Sequence, residues 1–184
     1  MNKGRFIVVS GPSGVGKGTI CNLLIKELNA QYSVSYTTRS PREGEIDGVN
    51  YNFISMEEFK EGIEKGDFLE YNFYNGNYYG TSKNFVIDKI NKGINVFSEI
   101  DVNGARKIKE IFSNALLIYI APPSMEILKE RLIGRGTESE EKINERIEIA
   151  YEEMKQTDFY DYVVVNDDIE KTKEKIKKII NNEI

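Results

Sequence analysis

Residues 5–19 read RFIVVSGPSGVGKGT, and this stretch decides the fold. Residues 6–9 are apolar and rich in β-branched side chains, and they are too few for a helix, so they predict a buried parallel strand. Residues 10–18, here called the glycine loop, contain four glycines. Apolar residues then recur at helical spacing, at Ile20, Leu23, Leu24 and Leu28. A strand, a glycine loop and a helix in this order indicate a phosphate site.

The residue types in the glycine loop suit an anion. Glycine lets the backbone turn its N–H groups inward, and the helix N-terminus adds partial positive charge. Lys17 adds a full charge that can reach the β- and γ-phosphates of a nucleotide. The alternative is a tight turn before an ordinary helix. We expect the nucleotide to be held by Gly11, Pro12, Ser13, Gly14, Val15, Gly16, Lys17, Gly18 and Thr19.

One position departs from the pattern GxxxxGK[ST]. The hydroxyl residue that usually follows the lysine is replaced by Gly18, and Thr19 comes next. Thr19 is therefore the best candidate to face Mg²⁺, directly or through water.

Composition limits the class of protein. The 184 residues fit one compact domain with inserted lobes, and the net charge of −5 gives no electrostatic case for a nucleic-acid partner. The single cysteine suits a reducing compartment. The chain moves straight into its first strand, and no apolar run approaches membrane length, so we expect a cytoplasmic protein with no membrane partner. Histidine is absent, which excludes histidine-based triads.

Strand and helix patterns alternate along most of the chain. This alternation predicts an α/β fold with a parallel sheet and helices on both faces. Residues 34–81 break the rhythm and predict a small antiparallel β lobe with one helix, including a hairpin turned at Asn75-Gly76. The predicted strands cover 31–38, 51–54, 68–74, 77–81, 94–100, 115–120 and 162–165. Capping boxes are predicted at 55–58 and 137–140.

Polar residues follow several predicted strands. Glu99 and Asp101 come at the end of one strand, and Asn166 follows the last one. Ligands bind at the carboxyl ends of parallel strands, so we expect these residues to share one rim of the sheet with the glycine loop.

Five arginines flank the glycine loop in sequence, although the chain is acidic overall. The guanidinium fork suits phosphate oxygens, so the set favours binding of an anion, although any one arginine could be a surface ion pair. The five are Arg39, Arg42, Arg131, Arg135 and Arg146. A phosphate monoester is mostly a dianion at pH 7, with its second pKa near ~6, so it can attack without an imidazole base. The pattern therefore favours transfer of a γ-phosphoryl group to another phosphate, which depends on alignment and charge neutralisation.

The chain closely resembles guanylate kinases, which convert GMP and ATP to GDP and ADP. The resemblance rests on GPSGVGKGT, SYTTRSPREGE with GVNYNF, FLEYNFYNGNYYGT, EIDVNGA, IYIAPPS, RLIGRGTE and VVVNDD. It implies a P-loop three-layer α/β core (1–33, 86–125 and 155–184), a small mixed α/β GMP-binding lobe (34–85) and a helical lid (126–154).

The resemblance also implies roles for individual residues. Arg131, Arg135 and Arg146 would act with Lys17 on the transferring group, Asn166 would lie near the adenine, and Mg²⁺ would accompany ATP. The GMP site would comprise Ser35, Arg39, Arg42, Tyr51, Glu70, Tyr79, Thr81 and Asp101. Tyr51 and Tyr79 could instead be ordinary strand aromatics, and Asn166 a helix cap.

Two positions depart from the family pattern and leave questions open. Glu99 stands where the family usually has aspartate, which could change how Mg²⁺ waters are held, and Asn103 replaces a common glutamine. A non-catalytic module that binds proteins, or a kinase for another nucleoside monophosphate, remain alternatives, as does dGMP as a further substrate. The sequence does not give the oligomeric state.

Overall fold

A computed structural model describes residues 3–74, 76–134, 136 and 139–183. Over these residues the chain forms nine strands and seven helices. The strands are β1 (Phe6–Ser10), β2 (Gln31–Tyr32), β3 (Tyr36–Thr37), β4 (Asn52–Phe53), β5 (Phe68–Tyr74), β6 (Asn77–Ser82), β7 (Val96–Glu99), β8 (Leu116–Ala121) and β9 (Tyr162–Val165). The helices are α1 (Lys17–Glu27), α2 (Met56–Lys65), α3 (Lys83–Asn91), α4 (Val102–Ile111), α5 (Met125–Ile133), α6 (Glu140–Met154) and α7 (Ile169–Ile180).

The predicted parallel sheet is confirmed. Five strands are ordered β2-β7-β1-β8-β9, and the pairs β2/β7 and β8/β9 run parallel. Every residue of β1 and β8 is buried, as expected of parallel strands covered on both faces. The strands carry short polar or glycine-rich segments at their carboxyl ends, which is where the predicted nucleotide residues lie.

The second sheet corrects one prediction. Its four strands are ordered β4-β3-β6-β5, and β3 pairs antiparallel with β6 but parallel with β4. The sheet is therefore mixed rather than wholly antiparallel. The physical reason is the connection between β3 and β4, residues 38–51, because a parallel pair needs a crossover of about a dozen residues or more.

The strand predicted over 31–38 is in fact two short strands. Gln31 and Tyr32 pair with β7 in the first sheet, whereas Tyr36 and Thr37 pair with β6 in the second. The chain passes from the first sheet to the second between these two strands. The alternating residues of this stretch are therefore divided between two sheets.

Helix starts follow the predicted caps with one correction. The Ser55 hydroxyl accepts from the N–H of Glu58, whose carboxylate accepts in turn from the N–H of Ser55, which confirms the first capping box. The second box was placed at 137–140, but α6 begins at Glu140 with Ser139 as its cap. Thr137 and Glu138 lie outside the described residues, and so does Asn75 of the predicted hairpin turn.

The chain divides into two compact units. The first comprises Met1–Ile7, Asn29–Ser98 and Asn103–Ala115, and the second comprises Val8–Leu28, Glu99–Val102 and Leu116–Ile184. The glycine loop is in the second unit and the mixed sheet is in the first. The division into core, lobe and lid made from the sequence stays a prediction. Over the described part of the chain, no helix combines the length and the apolar character needed to cross a membrane.

Candidate active site

The glycine loop folds in a way that requires its glycines. Gly11, Gly14 and Gly16 all have positive φ, with values of 145°, 92° and 99°. A Cβ added at Gly11 would lie 2.2 Å from the carbonyl oxygen of Ile120. The Lys17 ammonium donates to the carbonyl oxygens of Gly11 at 2.5 Å and Pro12 at 3.0 Å. The loop and its lysine are therefore folded back on each other at the start of α1.

Glu99 lies beside the position that departs from the loop pattern. A Cβ added at Gly18 would lie 3.6 Å from Oε1 and 4.0 Å from Oε2 of Glu99, which is ordinary contact distance. Burial raises the pKa of Glu99 above its usual value, and the charge of Lys17 opposes that rise. A carboxylate oxygen is thus present next to the site where the usual hydroxyl is missing.

These residues fit a magnesium ion that arrives with a nucleotide. Mg²⁺ is commonly held by one or two carboxylates together with substrate phosphates and water, and Glu99 supplies a carboxylate at the loop. Thr19 is exposed on the first turn of α1. In the described parts of the chain, no group of three or more acidic or cysteine side chains is placed to hold a metal ion.

One of the predicted arginines contacts the glycine loop, and a second contacts the segment that follows β9. Arg146 on α6 donates to the Ser13 hydroxyl of the glycine loop at 2.5 Å. Arg131 on α5 donates to the main-chain carbonyl of Asn166 at 3.0 Å. Arg135 lies outside the described residues. Two cations from separate helices are thus placed against the loop and against the segment that follows β9.

Asn166 is almost fully buried, with 2% of its surface exposed. Its side-chain Nδ2 donates to the Val15 carbonyl at 2.7 Å, and its Oδ1 accepts from the Thr172 hydroxyl at 3.0 Å. A cleft of about 410 Å³ lies beside it, lined by residues 14–16, Arg131 and residues 166–169. The adenine position implied by the resemblance would be in this cleft, and it stays a prediction.

In the first unit, Arg39 is held by an acidic partner. Its guanidinium makes two hydrogen bonds of 2.9 Å with the Glu45 carboxylate and lies 5.4 Å from the centre of the Tyr51 ring. The rings of Tyr51 and Tyr79 meet edge to face at 6.0 Å. Three of the predicted GMP residues are therefore in contact. The side chain of Arg42 is exposed, and its main-chain N–H donates to Glu45 at 2.7 Å.

Glu70 and Thr81 form a buried pair across the hairpin. They face each other in the register of β5 and β6 beside an irregularity at Phe68–Glu70. The Thr81 hydroxyl donates to Glu70 Oε1 at 2.7 Å, and the two residues are 8% and 0% exposed. The two side chains therefore meet on one face of the hairpin, where the threonine hydroxyl is bonded to the carboxylate.

Two further residues of the predicted GMP set are Ser35 and Asp101. The carbonyl of Ser35 accepts from the N–H of Asn52, which ties it to the start of β4. Asp101 is exposed and belongs to the second unit, whereas the other residues of the predicted set belong to the first. Its role in the guanine pocket stays a prediction.

Three polar residues near the site were missed by the sequence prediction. Glu45 lies in the quoted PREGE segment, and its spacing from Arg39 could have suggested the pair. Burial raises the pKa of Glu153 on α6. The positive charge of Lys17 opposes this increase, and the negative charge of Asp101 adds to it. Thr172 on α7 bonds Asn166. The last two carry no local sequence signal, because only packing brings them to the site.

Comparison with known proteins agrees with this geometry. Residues 3–183 match the Guanylate kinase family. A guanylate kinase of Clostridium tetani is 51% identical over 183 residues, covering 100% of this chain and 88% of that protein. One from Clostridioides difficile is 50% identical over 184 residues, covering 100% and 90%.

A solved structure agrees as well. The guanylate kinase of Anaplasma phagocytophilum superposes with a TM-score of 0.80 at 36% identity, and the match covers 99% of this chain and 87% of that one. The glycine loop with its lysine and the arginines against it lie within the matched length. This chain belongs to the guanylate kinase family.

Proposed function

We propose that this protein transfers the γ-phosphoryl group of ATP to GMP and so produces ADP and GDP, with dGMP as a further acceptor. The names of its relatives support this reaction. The observation that carries the choice of base is the buried pair of Glu70 and Thr81. Burying a carboxylate lowers stability unless a ligand or partner compensates, and guanine presents two adjacent donors, N1–H and the 2-amino group, that a carboxylate can accept together.

The donor nucleotide is proposed to bind the glycine loop. The loop residues Gly11, Pro12, Ser13, Gly14, Val15, Gly16, Lys17, Gly18 and Thr19 would surround the phosphates, with Asn166 toward the adenine. The N–H groups of a loop with three positive-φ glycines, together with the N-terminus of α1, suit phosphate oxygens. Lys17 is already at the loop and would exchange its two carbonyl acceptors for phosphate oxygens.

The acceptor nucleotide is proposed to bind in the first unit. The GMP phosphate would be held by Arg39, Arg42, Tyr51, Tyr79 and Ser35. Glu70 with Thr81 would read the base, and Asp101 is a further candidate for contact with GMP. Arg39 lies ready between Glu45 and the Tyr51 ring. Its guanidinium has five N–H donors, so it can bind phosphate while keeping a bond to Glu45.

The chain's own groups account for the chemistry. The GMP phosphate is mostly a dianion at pH 7 and needs no base to attack. Catalysis then depends on alignment and on charge neutralisation, which we assign to Lys17, Arg131, Arg135 and Arg146. Mg²⁺, when bound with ATP, neutralises part of the phosphate charge, and Glu99 and Thr19, directly or through water, are the residues that would hold it.

The alternatives are less well supported. A module that only binds proteins has no use for a lysine hydrogen-bonded within a glycine loop or for Arg146 on Ser13. The net charge of −5 gives no basis for a nucleic-acid partner. The single cysteine fits a reducing compartment, and we propose that the enzyme works in the cytoplasm.

The decisive experiment is a coupled assay of ADP release with MgATP and each of GMP, dGMP, AMP, UMP and TMP. We expect turnover with GMP and dGMP and little with the others. Lys17→Ala serves as the control, and it should lower turnover by orders of magnitude while its circular dichroism stays like that of wild type. No ADP release with GMP, or equal release with AMP, would overturn the proposed function.

A further inference from the structure

We propose that Thr172, acting through Asn166, is a positioning residue that sets the backbone of the glycine loop for phosphate binding. This inference rests on the proposed binding of ATP to that loop. It gives Asn166 a role in shaping the loop, whatever contact it makes with the base.

The first step of the argument is the assignment of the Asn166 amide. The Val15 carbonyl can only accept a hydrogen bond, so the atom 2.7 Å from it must be the donor Nδ2. The other end, Oδ1, then faces the Thr172 hydroxyl at 3.0 Å. Asn166 and Thr172 are 2% and 3% exposed, so water cannot easily replace either bond. The Val15 carbonyl therefore fixes which way the amide points, and the Thr172 hydroxyl holds its Oδ1 end in place.

The second step concerns the peptide between Val15 and Gly16. In a planar trans peptide the C=O and the following N–H point in opposite directions. Because Asn166 holds the Val15 carbonyl, it directs the Gly16 N–H to the other side of the loop. Gly16 is the cap of α1 and has a φ of 99°, and N–H groups at this position are the ones that bind phosphate.

The third step is the tightness of the contact. A Cβ at Gly16 would lie 2.8 Å from Asn166 Nδ2, so the loop backbone is packed directly against the amide. The rest of Asn166 is also anchored. Its N–H donates to the Ala121 carbonyl at 2.8 Å, and its own carbonyl accepts from Arg131 at 3.0 Å.

These contacts connect distant parts of the second unit. Asn166 and Val15 are 151 residues apart in the chain, and Asn166 joins the glycine loop to β8, to Arg131 and, through Thr172, to α7. A buried network whose members are all satisfied holds one geometry, whereas loss of one member leaves a buried polar atom without its partner. The C-terminal helix thereby takes part in shaping the loop.

The test compares inorganic tripolyphosphate with ATP. Tripolyphosphate has no base, so it reports on the loop alone. Thr172→Val removes the hydroxyl and keeps the shape, and Thr172→Ser keeps the hydroxyl. Binding is measured by calorimetry in EDTA, so that no metal takes part. Thr157→Val is the control, because the Thr157 hydroxyl also donates to a main-chain carbonyl in the same unit, that of Met154 at 3.2 Å, and has no part in the Asn166 network.

We expect Thr172→Val to weaken tripolyphosphate and ATP by the same factor, roughly tenfold from the loss of one buried hydrogen bond. Thr172→Ser should stay within about twofold of wild type, and GMP binding should not change. Weakening of ATP alone would mean that the network acts on the base, and unchanged binding of both would mean that it only supports the fold. Either result overturns the inference. Failure of wild type to bind both ligands would instead overturn the proposed ATP site, and the inference with it.

A second measurement needs no variant and covers the case in which Thr172→Val does not fold. The Asn166 side-chain NH₂ protons should be protected from solvent exchange in native wild-type protein, and their NMR shifts should move on addition of tripolyphosphate. Protons that exchange as fast as those of an exposed asparagine would contradict the proposal.

Discussion

At the scale of single residues, we expect the choice of base to depend on Glu70. Its carboxylate is buried and already accepts one bond from Thr81. We expect Glu70→Ala to lower kcat/KM for GMP strongly and to narrow its advantage over AMP, because adenine has an acceptor where guanine has N1–H. One unmatched buried polar group costs about 1–3 kcal/mol, so two mismatches correspond to discrimination of roughly 10² to 10⁴.

The measurement is steady-state kinetics with GMP and AMP, together with ATP binding, which should change little. Glu70→Gln is the matched variant, because it keeps the shape but exchanges one acceptor for a donor, and it should behave like the alanine variant. Full discrimination in Glu70→Ala would show that guanine is read elsewhere, with Asp101 the first residue to test.

Also at the residue scale, the pair of Arg39 and Glu45 predicts a dependence on pH. Hydrogen bonds from Arg39, followed by one from the Arg42 N–H, lower the pKa of Glu45 to about 2. Because the pKa in the folded protein lies below the usual carboxyl value near ~4.3, the pair contributes its full stability above that pH. The contribution disappears as the pH falls toward 2.

We therefore expect Glu45→Gln to be less stable than wild type at pH 7, and the difference to shrink between about pH 4.3 and 2. Urea midpoints measured across this range test it. The exposed neighbour Glu43 provides a control, since Glu43→Gln should follow wild type at every pH. If the stability difference between Glu45→Gln and wild type stays constant down to pH 2, the charge on Glu45 does not stabilise the folded protein.

At the scale of elements, the start of α1 and the end of β7 combine two departures from the usual pattern. Gly18 lacks the usual hydroxyl, and Glu99 is one methylene longer than the usual aspartate. A Cβ added at Gly18 would lie 3.6 Å from the Glu99 carboxylate. We interpret the two as compensating. Glu99→Asp should weaken the Mg²⁺-dependent part of ATP binding by about tenfold, in the range found for residues that orient metal ligands.

Adding Gly18→Ser to Glu99→Asp should restore much of that binding, because the serine hydroxyl supplies an oxygen where the shortened carboxylate withdraws one. ATP titrations with Mg²⁺ and with EDTA, on wild type, both single variants and the double variant, measure the coupling. Effects that simply add would show that the two positions act independently.

The same elements show what the sequence could and could not predict. The strand, glycine loop and helix at residues 5–19 follow from local pattern alone, and so does the cap at Ser55. The split of 31–38 into two strands could not be predicted, because the alternating pattern looks the same whether one sheet or two receive it. The parallel pairing of β3 and β4 depends on the path of the long polar connection between them. Apolar residues do not recur at regular spacing in this connection, so its path could not be predicted.

At the scale of the whole molecule, the family resemblance predicted the fold class correctly. The alternation of strand and helix patterns predicted the parallel sheet. Contacts between residues far apart in sequence were the part that was missed. Asn166 was expected near the adenine, but its bonds to Val15 and Thr172 were not foreseen. Such contacts arise only when β9 and α7 pack against the glycine loop, and no single segment contains the information.

Cys21 provides a chemical probe for the opening of α1. It is the only cysteine in the chain, lies on α1 and is 1% exposed, and burial together with the charge of Glu99 raises its pKa. A thiol reagent can therefore modify it only when α1 opens. The labelling rate would measure the opening of the helix that carries Lys17, and ATP should slow it by the factor 1 + [ATP]/Kd. Rapid labelling that ATP leaves unchanged would show that α1 opens without disturbing the nucleotide site.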